Sequence, residues 1–307
     1  MSIIFGPVFS RRFGKSLGVD LSPETKQCNF DCLYCELAST QTTDAQSSVV
    51  PVEAVVLAIQ EALAQHPDVD VLTLTANGEP TLYPHLDELL ERINALKGDI
   101  KTLILSNGST IADPHIRHTL QKIDIVKLSL DCATPRCFKR IDRSHAGIDI
   151  AQIQEGMLLF REQTSHPLII EILLVQGIND SHEEIAALDA YLMRLRPDQI
   201  DLGTIDRPPA YDVRPVSYAR MVELARRFDA RLPIHITGRQ HATAAPEAYD
   251  ESAILATLAK RPLTREDIEI LMDTQSQARL QTLIERGRIE ITDNNGVEFF
   301  TLSHPHH

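Results

Sequence analysis

The chain has 307 residues, of which 43% are hydrophobic, and it carries a formal net charge of -13. This hydrophobic content supplies a sizeable core, and no apolar run approaches the roughly 18 residues that cross a bilayer. The negative charge disfavours broad nucleic-acid binding, which depends on neutralising phosphates. The N-terminus lacks a basic region followed by a long apolar stretch, so we expect a cytoplasmic protein without a membrane partner.

Short β-branched runs alternate along the chain with longer amphipathic segments. The β-branched runs predict strands at 17–22, 69–75, 100–106, 124–130, 168–175 and 199–205, with a seventh candidate at 232–237. The amphipathic segments predict helices at 51–65, 85–97, 113–121, 149–163, 181–195 and 217–230. Unbroken alternation of this kind predicts an α/β fold with a parallel sheet and helices outside it.

Chain length narrows the architecture of that sheet. A complete eight-fold barrel typically uses about 250 residues, whereas about 220 residues here carry six or seven units. The sequence therefore favours a partial, open (β/α)6 barrel of the TIM-like type, with a doubly wound sheet as the competing arrangement. In both, the active site lies at the C-terminal ends of the strands.

The alternation ends after the predicted barrel, which we place at 1–245. Residues 252–303 contain three helical segments followed by two strands that an Asn-Gly turn joins. That order predicts a small winged-helix-like α+β module at 250–303. Across 250–307, six Lys or Arg stand against ten Asp or Glu. We therefore expect no general DNA binding, and instead packing against the barrel or contact with a protein or peptide.

Three of the five cysteines, Cys28, Cys32 and Cys35, lie within eight positions. Clustered thiols in a reducing compartment serve metal binding or chemistry. Structural zinc sites need four ligands, often as two C-x₂-C pairs, and neither a second pair nor a histidine follows nearby. An iron–sulfur cube held by three thiolates keeps one iron open for a further ligand. The spacing favours a [4Fe-4S] cluster, with zinc or three unrelated buried thiols as alternatives.

The C-x₃-C-x₂-C spacing after the first predicted strand, with Tyr34 before the last cysteine, resembles the radical S-adenosylmethionine (SAM) superfamily. A second stretch, TANGEPTLYP, begins where the next strand ends and is similar to the GGEP loop of that family. The resemblance implies that Cys28, Cys32 and Cys35 hold a [4Fe-4S] cluster whose open iron binds SAM. An electron from a reductant such as flavodoxin or ferredoxin then splits SAM into methionine and a 5′-deoxyadenosyl radical.

The same resemblance implies a set of SAM-binding residues at the strand ends. Tyr34 lies near the adenine, the NGEP loop accepts from the ammonium group, and the ends of later strands contact the ribose or carboxylate. The predicted SAM-binding residues are Tyr34, Asn77, Gly78, Glu79, Pro80, Asn107, Ser129 and Asp131.

Three longer segments, GPVFSRRFGKSLGVDLSP, VKLSLDCATPRCFKRIDRSH and TIDRPPAYDVRPVS, resemble a poorly characterised branch grouped with wyosine-type tRNA-modifying enzymes. That grouping names no substrate, which we expect to be an RNA, a peptide or a small acid. Arg140, Arg143 and Arg207 follow strand ends and are candidates to bind a substrate carboxylate or phosphate. Cys132 and Cys137 are predicted to be buried thiols rather than ligands of a second cluster.

Two functions from different classes fit such a cluster. The first is a radical SAM enzyme that abstracts hydrogen from a substrate. The second is a non-catalytic iron–sulfur sensor that acts through the winged-helix module. A sensor needs the cysteines, but it needs neither the NGEP loop nor six βα units. The sequence therefore favours the enzyme.

Overall fold

The computed structural model describes residues 2–10, 13–237, 248–260, 262–294 and 297–303. Eight strands form one sheet in chain order: β1 Ile4–Ser10, β2 Gly14–Asp20, β3 Val71–Thr75, β4 Lys101–Ser106, β5 Ile125–Ser129, β6 Leu168–Leu174, β7 Gln199–Thr204 and β8 Ile234–Ile236. Strands β2 to β8 are parallel, and β1 pairs antiparallel with β2. Strand order without a reversal excludes the doubly wound sheet, whose order reverses at a switch point. The predicted α/β partial barrel is confirmed.

Helices connect the parallel strands on the outside of this sheet. Their bounds are α1 Val52–Gln65, α2 Leu86–Leu96, α3 Pro114–Leu120, α4 Pro135–Ile141, α5 Ile150–Gln163, α6 His182–Leu195 and α7 Tyr218–Ala225. Several begin at a residue whose side chain accepts a hydrogen bond from a backbone N–H of the first turn, as Thr134, Asp149 and Ser181 do. Such caps satisfy donors that have no partner inside the helix.

The sequence did not predict two of these elements. β1 contains Gly6 and Pro7, which punctuate the apolar run, and its pairing with β2 shifts register between Phe5 and Val8. α4 has only seven residues, too few to show a helical period, and Pro135 occupies its first position. Both elements border the site described below, so part of the surroundings of that site was not predicted.

Strand side chains alternate between the two faces of the sheet. On β6, Leu168, Ile170, Ile172 and Leu174 are completely buried and belong to the main hydrophobic core, as do residues of the surrounding helices. The intervening residue Glu171 is only partly buried. The core therefore lies between sheet and helices, and the other face of the strands lines the barrel interior.

The C-terminal residues form a second hydrophobic cluster, which includes Ile254, Leu280 and Phe300. Its elements are α8 Glu251–Lys260, β9 Leu263–Thr264, α9 Arg265–Leu271, α10 Thr274–Glu285, β10 Ile289–Asn294 and β11 Val297–Leu302, with sheet order β10-β11-β9. Three helices before an antiparallel hairpin is the predicted order, although the winged-helix likeness and the domain bounds stay predictions. The Asn-Gly turn at 295–296 and the boundary at 245 lie outside the described residues.

This C-terminal part contacts the barrel through β1. The hydroxyl of Tyr249, which is 5% exposed, donates to the backbone carbonyl of Pro7 at 3.1 Å. Among the residues that the structure describes, no helix is both long and apolar enough to cross a membrane.

Candidate functional site

The loop after β2 carries Cys28, Cys32 and Cys35 across the C-terminal ends of the strands. On one side it pairs with the NGEP loop that follows β3. The backbone N–H of Gln27 donates to the carbonyl of Asn77 at 2.8 Å, and the N–H of Glu79 donates to the carbonyl of Gln27 at 3.0 Å. The two stretches with the strongest family resemblance are therefore hydrogen-bonded to each other.

Gly78 makes this pairing possible. Its φ of +133° is a conformation that side chains disfavour, and a Cβ atom added there would lie 1.9 Å from the carbonyl oxygen of Gln27. That separation is far inside van der Waals contact, and the atom it meets is backbone. Glycine is therefore required for the close approach of the two loops.

On its other side the cysteine loop is held by the residues that end α4 and follow it. The backbone N–H of Asp31 donates to the carbonyl of Asp142 at 3.0 Å, and that of Leu33 donates to Ile141 at 2.9 Å. The N–H of His145 donates to the carbonyl of Asn29 at 2.7 Å. The sequence did not predict this support, because α4 itself was not predicted.

Nitrogen donors surround two of the three cysteine sulfurs. The backbone N–H of Phe30 lies 3.4 Å from Cys28 Sγ, and Asn107 Nδ2 lies 3.7 Å from the same atom. Lys26 Nζ lies 3.5 Å from Cys35 Sγ. Donors of this kind stabilise sulfur in its thiolate form, which is the form that binds metal.

The spread of the sulfurs bears on the two metals that the sequence left open. In the described part of the chain, the one set of three potential ligand atoms within 4.8 Å of one another belongs to Cys132, Cys137 and Glu184. At least two of the sulfurs of Cys28, Cys32 and Cys35 are thus more than 4.8 Å apart. A tetrahedral zinc with Zn–S bonds near 2.3 Å needs sulfurs about 3.8 Å apart. A four-iron cube spaces its thiolates more widely, so this donor set is compatible with the cluster.

Burial sets the protonation of these thiols in the absence of metal. It raises the pKa of Cys28 to about 12, and it raises the pKa of Cys32 well above its ordinary value. The nearby carboxylates of Glu79 and Asp142 raise the two pKa values further. Both thiols are therefore neutral at pH 7 until a metal cation displaces their protons.

Asp142 is a residue of this site that sequence reasoning missed. Its Oδ1 accepts from Cys32 Sγ at 3.5 Å, and its side chain is buried. Burial, with the charge of Asp131 as the next cause, raises the pKa of Asp142 well above its ordinary value. No local pattern marks this residue, which reaches the cysteine loop only through the docking of α4.

Glu79 has a different set of partners from the one that the sequence suggested. Its Oε1 accepts from Thr81 N, Thr81 Oγ1 and Ser106 Oγ at 2.7 to 2.9 Å, and its Oε2 accepts from Asn107 N at 2.7 Å. The side chain is 1% exposed, and burial raises its pKa despite these donors. Glu79 therefore holds the NGEP loop against the end of β4 from the inside.

Four of the predicted SAM-binding residues line one small cavity: Tyr34, Asn107, Ser129 and Asp131. The Tyr34 hydroxyl donates to Asp131 Oδ2, and the backbone N–H of Leu173 donates to Asp131 Oδ1 at 2.7 Å. Burial raises the pKa of Asp131 to about 7, and it raises the pKa of Tyr34 well above its ordinary value. The structure brings these four residues together, whereas Asn77 lines a larger cavity in the barrel interior.

The three candidate arginines lie in different surroundings. Arg207 lines the larger cavity, and its Nη1 pairs with Glu36 Oε2 at 2.6 Å. Arg143 Nη2 lies 3.5 Å from Asp31 Oδ2, and the guanidinium carbon of Arg143 lies 4.6 Å from the ring centre of Tyr211. Arg140 is exposed on α4 and lines neither cavity. Substrate binding by these arginines stays a prediction.

Cys132 and Cys137 are buried, as predicted, and their sulfurs are bonded to each other. The disulfide connects the segment after β5 to α4. The nearby carboxylate of Glu184 accepts from Thr134 N at 3.0 Å and from Thr134 Oγ1 at 2.6 Å. Both the sulfurs and this carboxylate are thus occupied within the chain, which leaves no open ligand set there.

The chain is similar in sequence to one protein family and to several relatives. Residues 23–188 match the family model of the radical SAM superfamily. A UPF0026 protein of Helicobacter pylori (strain ATCC 700392 / 26695) is 40% identical over 302 residues, which are 97% of each chain. A UPF0026 protein of Methanocaldococcus jannaschii is 33% identical over 214 residues, covering 68% of this chain and 65% of the relative.

Solved structures share the fold at lower identity. A radical SAM methyltransferase from Sphaerobacter thermophilus superposes with a TM-score of 0.58 at 15% identity, over 72% of this chain and 66% of the other. Streptococcus suis SuiB, solved bound to S-adenosylmethionine, superposes with a TM-score of 0.55 at 20% identity, over 72% and 51%. The chain therefore belongs to the radical SAM superfamily, whose enzymes use a [4Fe-4S] cluster and SAM, as the sequence predicted.

Proposed function

We propose that this chain reductively cleaves SAM at a [4Fe-4S] cluster on Cys28, Cys32 and Cys35, and that the product radical removes hydrogen from a substrate in the barrel interior. The observation that carries the proposal is the joining of two loops. The cysteine loop is hydrogen-bonded through Gln27 to Asn77 and Glu79 of the NGEP loop. A sensor that only binds a cluster does not need this second loop.

Cys28, Cys32 and Cys35 would hold the cluster, which would supply one electron from a reductant for the cleavage of SAM into methionine and a 5′-deoxyadenosyl radical that would take a hydrogen atom from substrate. The chain contributes position and environment. Asn107 and the N–H of Phe30 direct donors at Cys28. Glu79 fixes the NGEP loop, whose backbone carbonyls accept from the ammonium group of SAM.

The second half of the SAM site consists of the residues around the small cavity. Ser129 ends β5 and Asp131 lies two residues beyond it. Both would contact the ribose or carboxylate of SAM, and Tyr34 would lie beside the adenine. Asn179 holds the ends of β5 and β6 in register, because its Nδ2 donates to the carbonyls of Asp131 at 2.9 Å and Leu173 at 2.8 Å. The strand ends are thereby fixed before any ligand binds.

The experiment is anaerobic reconstitution of the full chain with iron and sulfide, followed by reduction in the presence of SAM. We expect about four irons per chain and slow release of 5′-deoxyadenosine even without substrate. The matched control for iron content is the Cys132→Ala, Cys137→Ala variant, which alters two buried cysteines outside the cluster site.

A sensor would give a different result. It would bind the same iron, with loss on Cys28→Ala, but SAM would neither change the electron paramagnetic resonance spectrum of the reduced cluster nor be cleaved. Tightly bound zinc in place of iron after anaerobic purification would refute both functions.

A further inference from the structure

The barrel interior contains a row of polar and charged side chains, of which only Ser129 belongs to the proposed SAM site. In the parallel register, Ser129, Glu171, Asp201 and His235 are neighbours on β5, β6, β7 and β8. They therefore project from the same face of the sheet, as does Lys127, two residues before Ser129. Lys127 lines the larger cavity, so this face is the inner one.

Lys127 connects this row. Its Nζ lies 2.6 Å from Glu171 Oε1 and 3.1 Å from Asp201 Oδ2. The side chain of Asp201 is 1% exposed, that of Lys127 is 14% exposed, and that of Glu171 is 43% exposed. Glu171 is thus the most exposed member of this ion cluster, and Lys127 is the member that lines the larger cavity.

Such a cluster is costly to the fold. Charges removed from water lose solvation, and well-packed apolar residues in their place are often neutral or stabilising. Three strands nevertheless contribute one charged residue each to a single point of the interior. The stability of the fold does not account for that arrangement, whereas the binding of a ligand would.

The cavity next to this cluster has a volume of about 340 Å³. Ligand pockets range from about 300 to 1,000 Å³, so the space suits a small molecule or one side chain of a larger substrate. The apolar side chains on the cavity wall include Phe5 and Val8 of β1, and Leu103 and Leu105 of β4, the strand next to that of Lys127. A ligand that fits therefore has an apolar body and one polar end.

The charges indicate the sign of that polar end. The two cations described on the cavity wall are already paired, Lys127 with Glu171 and Asp201, and Arg207 with Glu36 at 2.6 Å. An ionised carboxylate can accept about four hydrogen bonds, and Lys127 supplies one to Glu171. The Glu171 carboxylate therefore has hydrogen-bond acceptor positions that Lys127 does not fill, and these suit a cationic donor.

We propose that the barrel interior binds a protonated amine or guanidinium that is attached to an apolar body, with the cation on Glu171 and the body against Leu103 and Leu105. The role of this ligand as the substrate rests on the proposed function, whereas its binding does not. This class differs from the carboxylates and phosphates that Arg140, Arg143 and Arg207 suggested from the sequence.

The test is calorimetric titration of the reconstituted full chain at pH 7.5 with three probes of one shape: 2-phenylethylamine, 2-phenylethanol and phenylacetate. We expect the amine to bind about tenfold more tightly than either of the others, because a hydrogen bond between charged groups outweighs a neutral one. Glu171→Gln should remove this preference. Glu155→Gln, an exposed residue of α5, is the matched control and should retain it.

Lys127→Met separates this proposal from binding of an anion. If Glu171 receives the ligand cation, loss of the competing lysine leaves amine affinity unchanged or higher. If Lys127 receives a ligand anion, the variant loses phenylacetate binding. Circular dichroism and thermal unfolding of each variant report whether it has folded. If Lys127→Met does not fold, Glu171→Gln decides the test.

Tighter binding of phenylacetate than of the amine, or an unchanged preference in Glu171→Gln, would overturn the inference. The outcomes for the two proposals are distinguishable. SAM cleavage without amine preference refutes only the binding site, and amine preference without SAM cleavage refutes only the proposed function.

Discussion

Cys28, Cys32 and Cys35 lie on a loop, where their sulfurs are not all within 4.8 Å of one another and two of them are approached by nitrogen donors, whereas Cys132 and Cys137 are buried with their sulfurs bonded. Both sets sit beside the C-terminal ends of the strands, and α4 contributes to the surroundings of both. This difference shows that closeness of potential ligand atoms to one another does not by itself make a metal site. The spacing of the sulfurs and their freedom to bind a metal distinguish the two sets, and both properties favour Cys28, Cys32 and Cys35 as the metal site.

The sharpest test of this comparison is Cys32→Ala. We expect loss of essentially all cluster iron and of 5′-deoxyadenosine, because two remaining thiolates are a poor support for a four-iron cube. Iron analysis and the broad absorbance of the cluster measure the change. Full iron content in this variant would mean that the cysteine loop is not the cluster site.

Gly78→Ala should have the next largest effect, although it changes no ligand. The new methyl group collides with the Gln27 carbonyl and separates the NGEP loop from the cysteine loop. We expect cluster content to fall severalfold together with SAM cleavage. The free energy of unfolding should fall by more than the roughly 1–3 kcal/mol that a strained φ alone costs.

Gly147→Ala is the matched control for that substitution. Gly147 also has a positive φ, +90°, but an added Cβ would meet no atom within 4 Å. It should therefore show the strain cost and retain its iron. Equal iron loss in both glycine variants would show that backbone strain, and not the joining of the loops, is responsible.

Glu79→Gln should have a smaller, more selective effect. The new amide presents N–H donors where the carboxylate accepts from Thr81, Ser106 and Asn107, so the NGEP loop loses part of its support. We expect SAM affinity to fall about tenfold, the equivalent of one lost hydrogen bond to a charged group, with iron content unchanged. Wild-type SAM affinity would remove Glu79 from the SAM site.

The Cys132→Ala, Cys137→Ala variant should have the smallest effect on chemistry. It keeps its cluster, and its free energy of unfolding falls by about 2 kcal/mol, because a disulfide across so short a loop restrains the unfolded chain only modestly. Thermal or denaturant unfolding measures the loss. A loss of about four irons per chain would instead reveal a second cluster.

The amino-acid sequence by itself determined the βα alternation, the C-x₃-C-x₂-C spacing and the NGEP stretch. Those features depend on local periodicity and spacing, which are readable along one segment at a time. The resemblance that they carry predicted Cys28, Glu79 and Asp131 as site residues without any knowledge of the packing, although it did not predict the partners of Glu79.

The tertiary structure alone decided what faces these residues. Asp142 reaches Cys32 because α4 docks on the cysteine loop, and Lys127 meets Glu171 and Asp201 because three strands share one register. These contacts join residues 44 to 110 positions apart. Their energy depends on burial and on distances across the fold, so no pattern along the chain encodes them.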